Sequence, residues 1–129
     1  MTVTGAVLSD TSGLGDGSAV PAQTLTGVLA LATGAEQPQL RALLSGLPIA
    51  AVSGTLSERF AGSGQKAASG VVRAKTGTLT GVSSLAGTVV DSDGRLLVFA
   101  AMADKVTSTG AARTALDRLA TTLAGCGCR

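Results

Sequence analysis

Histidine, tyrosine, tryptophan and asparagine are missing from this 129-residue chain, and phenylalanine occurs only twice. A core therefore has to be built from Ala, Val and Leu. The hydrophobic share of 45% is enough to fill one domain of this length. Large side chains that could close such a core alone are scarce, so the composition points to packing against something else. Nucleic-acid binding is excluded on two counts: almost no aromatics are present to stack bases, and the basic residues form no run. Ten Lys and Arg stand against eight Asp and Glu, a net charge of +2. No apolar stretch approaches the ~20 residues that span a bilayer, so no transmembrane segment is expected in this chain. Met1-Thr2-Val3 lacks the basic start and apolar run of a signal peptide. The two cysteines, Cys126 and Cys128, lie at the C-terminus as Cys-Gly-Cys-Arg. A metal would need two further ligands, so neither metal nor cofactor is expected. The pair reads as an exposed tail, or as one half of a bridge to a segment outside this chain, as in exported proteins.

What is present has a clear order. Eighteen glycines mark turns and tight backbone approaches. A short apolar run turns loop-like through Asp10-Thr11-Ser12-Gly13-Leu14-Gly15-Asp16-Gly17. Pro21 then opens a helical pattern in which Leu25, Val28, Leu29 and Ala32 share one face. A second short helix is predicted around residues 38–44, its face made by Leu40, Leu43 and Leu44, with Gly46 as its stop. One further helical turn is predicted over residues 55–60, with Thr55 as cap and Glu58 three residues on. A Gly- and Ser-rich loop covers residues 62–70. Three strands follow, at residues 71–79, 82–90 and 96–103. The last two are joined through Asp91-Ser92-Asp93-Gly94, where Asp-Gly signals a hairpin. A terminal helix from Thr107 to Ala124 carries Ala111, Ala115, Leu119 and Leu123 at helical spacing. Helices, a three-strand antiparallel meander and a C-terminal helix make an α+β arrangement. The third strand, Leu96-Leu97-Val98-Phe99-Ala100-Ala101-Met102-Ala103, is almost continuously apolar, as a strand with neighbours on both sides would be. Within this chain it has one certain neighbour, and an unpaired apolar edge is an aggregation hazard. Further strands outside this chain would resolve the conflict.

The chemistry is concentrated in Lys75-Thr76-Gly77-Thr78. On a strand, Thr76 and Thr78 share a face and can address one group of a ligand. Two hydroxyls beside an ammonium suit a carboxylate. Gly77 has no Cβ, so a substrate backbone can come close and pair with the strand. Outward N–H groups of an edge strand can stabilise an oxyanion. Lys75 adds charge that can orient a hydroxyl network or depress its pKa.

Lys-Thr-Gly is also the third of three motifs that build the site of penicillin-binding serine peptidases and class A β-lactamases. Leu47-Pro48-Ile49-Ala50, Gly54-Thr55-Leu56 with Arg59-Phe60, Val72 to Leu79, and Gly81-Val82-Ser83-Ser84-Leu85-Ala86-Gly87 come in one order. This closely resembles the C-terminal region of the DacB-type D-Ala-D-Ala carboxypeptidases, peptidase family S13. Asp10-Thr11-Ser12-Gly13-Leu14 is similar to that family's Asp-x-Ser-Gly-Leu loop, so the likeness runs from about Asp10 to Ala103. It implies an exported, cell-wall or periplasmic enzyme with a penicillin-binding protein fold, acting on D-Ala-D-Ala peptides of peptidoglycan through an acyl-serine and acylated by β-lactams. Residues 1–129 would be the C-terminal part of its peptidase domain. Residues 1–70 would form its loop and helical part, and residues 71–129 its third to fifth strands and terminal helix. Lys75 would support the proton network, Thr76 and Thr78 would hold the substrate carboxylate, and Gly77 would give clearance. The N–H of Thr78 would be one oxyanion donor. Ser12, Gly54, Arg59 and Phe60 match family positions and read as loop and packing residues.

Two departures limit what the chain can do by itself. The second family motif, of Ser-x-Asn type, cannot be present without Asn. Ser63-Gly64-Gln65-Lys66 fits the first, Ser-x-x-Lys, but lies in a Gly-rich loop nine residues before Lys75. Nucleophile and base on one helical turn need helix geometry, which Gly62 and Gly64 oppose. The nucleophile is expected outside this chain, with the N-terminal part of the same enzyme as partner. The competing readings are a non-catalytic module that binds a peptide or wall protein, and a β-lactamase-like enzyme. Gly-Thr-Leu-x-x-Arg-Phe fits the carboxypeptidases better.

Overall fold

The computed structural model describes residues 4–15 and 17–127. Strands β1 (Val72–Leu79), β2 (Val82–Val90) and β3 (Leu96–Ala103) form one antiparallel sheet in the order β1-β2-β3. The predicted strands fall within one residue of these bounds. Ala74 lies opposite Gly87, Thr76 opposite Leu85, and Gly87 opposite Phe99. Gly87 is required by that register: a methyl group there would fall onto the Arg73 carbonyl and Ala74 of the neighbouring strand. At the β2–β3 turn, Asp91 Oδ1 accepts from the amides of Asp93 (2.9 Å) and Arg95 (2.8 Å). That cradle, led by the Arg95 amide, holds the Asp91 carboxyl below the usual aspartate range.

Helix α1 (Ala22–Thr33) covers one face of the sheet and packs on β2 and β3, while α3 (Thr109–Ala124) covers the other. Pro21 caps α1, where a missing N–H costs nothing. The predicted α1 face holds, with Leu29 and Ala32 buried. The region of residues 38–45 is a 3₁₀ turn running into α2 (Arg41–Ser45), which ends at Gly46. The main core lies under α3, where Leu56, Phe60, Val72, Leu85, Val89, Phe99 and Leu116 meet Ala68, Ala74, Ala120 and Ala124.

Three local expectations need correction. The buried face of α3 is Leu116, Asp117, Ala120 and Ala124, with Leu123 packed beside it. Ala111, Ala115 and Leu119 of the predicted face are exposed. The helix is rotated because Asp117 turns inward to pair with Arg59. The predicted turn at residues 55–60 is a 3₁₀ turn, Gly54–Leu56, capped at Ser53, and Thr55 does not cap it. The predicted loop at residues 62–70 contains a 3₁₀ helix, Ser63–Ala68, packed on α3. Cys126 is held in a disulfide, while Cys128 lies outside the described residues.

Candidate active site

Strand β1 is anchored along its first half and open along its second. The Ala50 amide donates to the Val72 carbonyl (3.0 Å) and the Ala74 amide to the Pro48 carbonyl (2.9 Å), while Ile49 bridges Arg73. In an antiparallel strand alternate residues point both backbone groups to the same side, so Thr76 and Thr78 face the way Ala74 does. Among the described residues no strand lies beside them, because β1 is an edge of the sheet. The open edge thus begins at the Lys-Thr-Gly motif. Amides presented this way can pair with an extended peptide or receive a developing oxyanion.

The side chains of the motif divide between the two faces. Lys75 stands opposite Ala86, and its Nζ donates to the Thr76 carbonyl at 2.7 Å, which brings the ammonium to the open edge. Thr76 and Thr78 stand opposite Leu85 and Ser83, on the face shared with Ala74. The Thr76 hydroxyl donates to the Thr55 hydroxyl at 3.2 Å. A Cβ on Gly77 would fall onto the Ser84 hydroxyl, which itself leans to the Gly77 carbonyl at 3.5 Å.

Three hollows meet at this strand. A groove of about 530 Å³ is walled by Ser12, Gly13 and Leu14 on one side and by residues 75–79 with Val82 and Ser84 on the other. A second, apolar pocket of about 240 Å³ opens between Leu25, Val28, Leu29, Leu43 and Leu47 and the sheet at Lys75, Gly77, Ser84 and Ala86. On the opposite face a polar hollow of about 330 Å³ is lined by Thr55, Glu58, Arg59, Thr76 and Arg113. The loop walling the first groove is self-supporting. Asp10 Oδ1 accepts from the Gly13 amide (2.8 Å) and the Ser12 hydroxyl (3.1 Å), while the Ser12 hydroxyl accepts from the Leu14 amide (3.0 Å). These bonds, led by the Gly13 amide, hold the Asp10 carboxyl below its ordinary range.

Arg59 and Phe60 sit where packing residues sit. The Arg59 guanidinium makes a two-pronged bond to Asp117, Nε to Oδ2 at 3.2 Å and Nη2 to Oδ1, and lies 5.9 Å from the Phe60 ring centre. Gly54 has φ +57 and is pressed on Pro48, so a side chain there would be strained. Ser63 and Lys66 are exposed on the 3₁₀ helix beside α3 and line none of the three hollows at the motif. Sequence reasoning missed two residues that touch the motif, Thr55 and Ser84. Both stood inside the quoted strings Gly-Thr-Leu and Gly-Val-Ser-Ser-Leu-Ala-Gly, but contact between Thr55 and Thr76 needs the register of β1 against a segment 21 residues away. Among the described residues no group of three His, Cys, Asp or Glu could hold a metal, and no helix is long and apolar enough to cross a membrane.

Known proteins resemble this chain in both sequence and fold. Carboxypeptidase DacB of Mycolicibacterium smegmatis is 49% identical over 125 residues, covering 96% of this chain and 27% of the relative. A carboxypeptidase of Mycobacterium tuberculosis is 46% identical over the same length and share. This chain therefore spans about a quarter of the length of these curated relatives. Among solved structures, penicillin binding protein 4 (dacB) of Haemophilus influenzae superposes with a TM-score of 0.72 at 29% identity, covering 83% of this chain and 23% of that one. The same protein complexed with a β-lactam gives 0.71. The model of the D-Ala-D-Ala carboxypeptidase 3 (S13) family matches residues 1–125, nearly the whole chain, and the chain belongs to that family.

Proposed function

We propose that this chain is the C-terminal segment of a penicillin-sensitive serine D-Ala-D-Ala carboxypeptidase or endopeptidase acting on peptidoglycan peptides. One observation carries the reading: the strand edge opens at Lys75-Thr76-Gly77-Thr78, with two hydroxyls on one face and an ammonium at the edge. A D-Ala-D-Ala peptide lying antiparallel to this edge would place its terminal carboxylate at Thr76 and Thr78. The N–H of Thr78 would receive the oxyanion of the tetrahedral intermediate. Lys75 would supply positive charge for the proton network around the nucleophile, and Gly77 would let the peptide approach. β-Lactams would bind the same way, with their carboxylate on the same threonines. Residues 1–129 then form the C-terminal part of the peptidase domain, residues 1–70 its loop and helical part and residues 71–129 its strands and last helix. The nucleophile and its base come from the N-terminal part of the same enzyme. Its peptidoglycan substrate puts the whole enzyme outside the cytoplasm, in the cell wall or periplasm.

The intact mass of the chain after incubation with penicillin tests this, alone and mixed with the N-terminal part of the enzyme. The expected result is no adduct alone and an adduct on the N-terminal part in the mixture. An adduct on this chain alone would promote Ser63 to nucleophile and sink the reading. No adduct in either case would leave a non-catalytic peptide-binding module.

A further inference from the structure

Thr76 is not an isolated hydroxyl. Its Oγ1 lies 3.2 Å from Thr55 Oγ1, on the 3₁₀ turn Gly54–Leu56. That turn is unusually well fixed. Leu56 is fully buried, and its carbonyl accepts from the Ala51 amide at 3.0 Å. Ala51 and Phe60, on either side, hold left-handed φ values of 59 and 63, which persist only where the surroundings over-determine them. Arg59, three residues past the turn, is tied to Asp117 on α3. Thr55 itself is exposed, so its hydroxyl fills no core space.

We propose that Thr55 is a positioning residue for the carboxylate seat: its hydroxyl fixes the rotamer of Thr76 and donates to it, which frees the single Thr76 proton for a ligand carboxylate. This deepens the reading given under Proposed function and rests on it. A threonine hydroxyl has one proton and two acceptor sites. In the unliganded chain Thr76 spends that proton on Thr55. The bond runs from Thr76 to Thr55 at 3.2 Å; a carboxylate arriving at the open edge would claim the Thr76 proton, and rotation of the Thr55 hydroxyl would then reverse the bond. Thr55 then donates to Thr76 and Thr76 donates to the ligand, each bond polarising the other. Without the Thr55 hydroxyl, Thr76 is free to populate other staggered rotamers and must be ordered on binding.

The test uses the full-length enzyme and its acylation by benzylpenicillin and by the uncharged methyl ester of benzylpenicillin. Thr55→Val is expected to slow acylation by the carboxylate form about tenfold, the order of one hydrogen bond to a charged group, through weaker binding rather than a slower chemical step. Acylation by the ester is expected to stay within twofold or so of wild type, and Thr55→Ser to restore the carboxylate form. Equal loss with both compounds, or no loss with either, overturns the inference, because a general loosening of the turn would not discriminate between them. A wild-type enzyme acylated by neither compound would instead sink the carboxypeptidase reading, and this inference with it.

Discussion

The Arg59–Asp117 pair joins the Gly-Thr-Leu turn to α3, and Asp117→Asn is the perturbation that isolates it. The two side chains are 15% and 8% exposed, so the pair sits largely out of water. Removing one partner of such a pair leaves the other charge buried, at a cost of about 3–5 kcal/mol. Asn keeps the shape of Asp and still accepts one bond, so the lower end, about 3 kcal/mol, is expected. A domain of this length loses about 3–5 °C of Tm for each kcal/mol, so the melt should fall by about 10 °C. With no Trp or Tyr to report unfolding, far-ultraviolet circular dichroism during urea titration is the suitable assay. Replacing the pair together, Arg59→Met with Asp117→Leu, should recover most of the loss, since apolar residues of similar size substitute well for buried ion pairs. If Asp117→Asn stays within about 0.5 kcal/mol of wild type, in the range of ordinary surface changes, the turn is not held by this pair.

Gly87→Ala should be more damaging than Gly77→Ala, although both glycines lie in the same sheet. At Gly87 the added methyl meets the Arg73 carbonyl and the Ala74 Cα, which cannot move without the strand, whereas at Gly77 it meets only a serine hydroxyl. Overpacking of about 2–3 kcal/mol is expected at Gly87, and equal Tm values for the two variants would refute the register. The acid limb of stability should involve Asp91. Its folded pKa lies below its unfolded value, led by the Arg95 amide bond, so the unfolded chain takes up the proton first. The contribution is complete above about pH 4 and is lost as pH falls through the depressed folded value. Asp91→Asn should flatten the fall in stability between neutral and strongly acidic pH; an unchanged slope would refute the assignment.

The strands were legible because their signal is local: a period of two, Asp93-Gly94 at the hairpin, and a run of β-branched and small residues. The first helix was legible for the same reason, with Pro21 marking its start. What failed depended on distant partners. In α3, alanines at residues 111, 112, 115, 120 and 124 make several faces look equally apolar. The true face contains an aspartate whose partner is 58 residues away. Thr55 looked like a cap because Glu58 follows at the right spacing, whereas its hydroxyl is used across the fold. The four residues Lys75 to Thr78 were legible as a motif. Their placement at the point where Pro48–Ala50 stops covering the strand was not, since no local pattern encodes where an edge becomes open.

The two open edges of the sheet are not equivalent, and the difference bears on how the site is built. At β1 the open stretch is short, begins at the motif, and is flanked by polar and charged groups, so leaving it unpaired suits the proposed chemistry. At β3 no strand of the described residues pairs with the outer edge, and Leu96 and Met102 near its two ends are 52% and 44% exposed. An apolar strand of eight residues whose outer edge no described strand pairs invites pairing with any extended chain. Nothing in the candidate site uses that edge, so its composition answers a structural demand. Under the proposed function, strands from the rest of a longer protein would continue the sheet past β3, in keeping with the likeness to relatives about four times as long. Such a continuation would leave β1 as the edge, with Lys75, Thr76 and Thr78 at the rim where a peptide can add itself to the sheet. Under the proposed function, closing one edge while keeping the other open would let a substrate peptide, and not a second protein strand, become the next strand of this sheet.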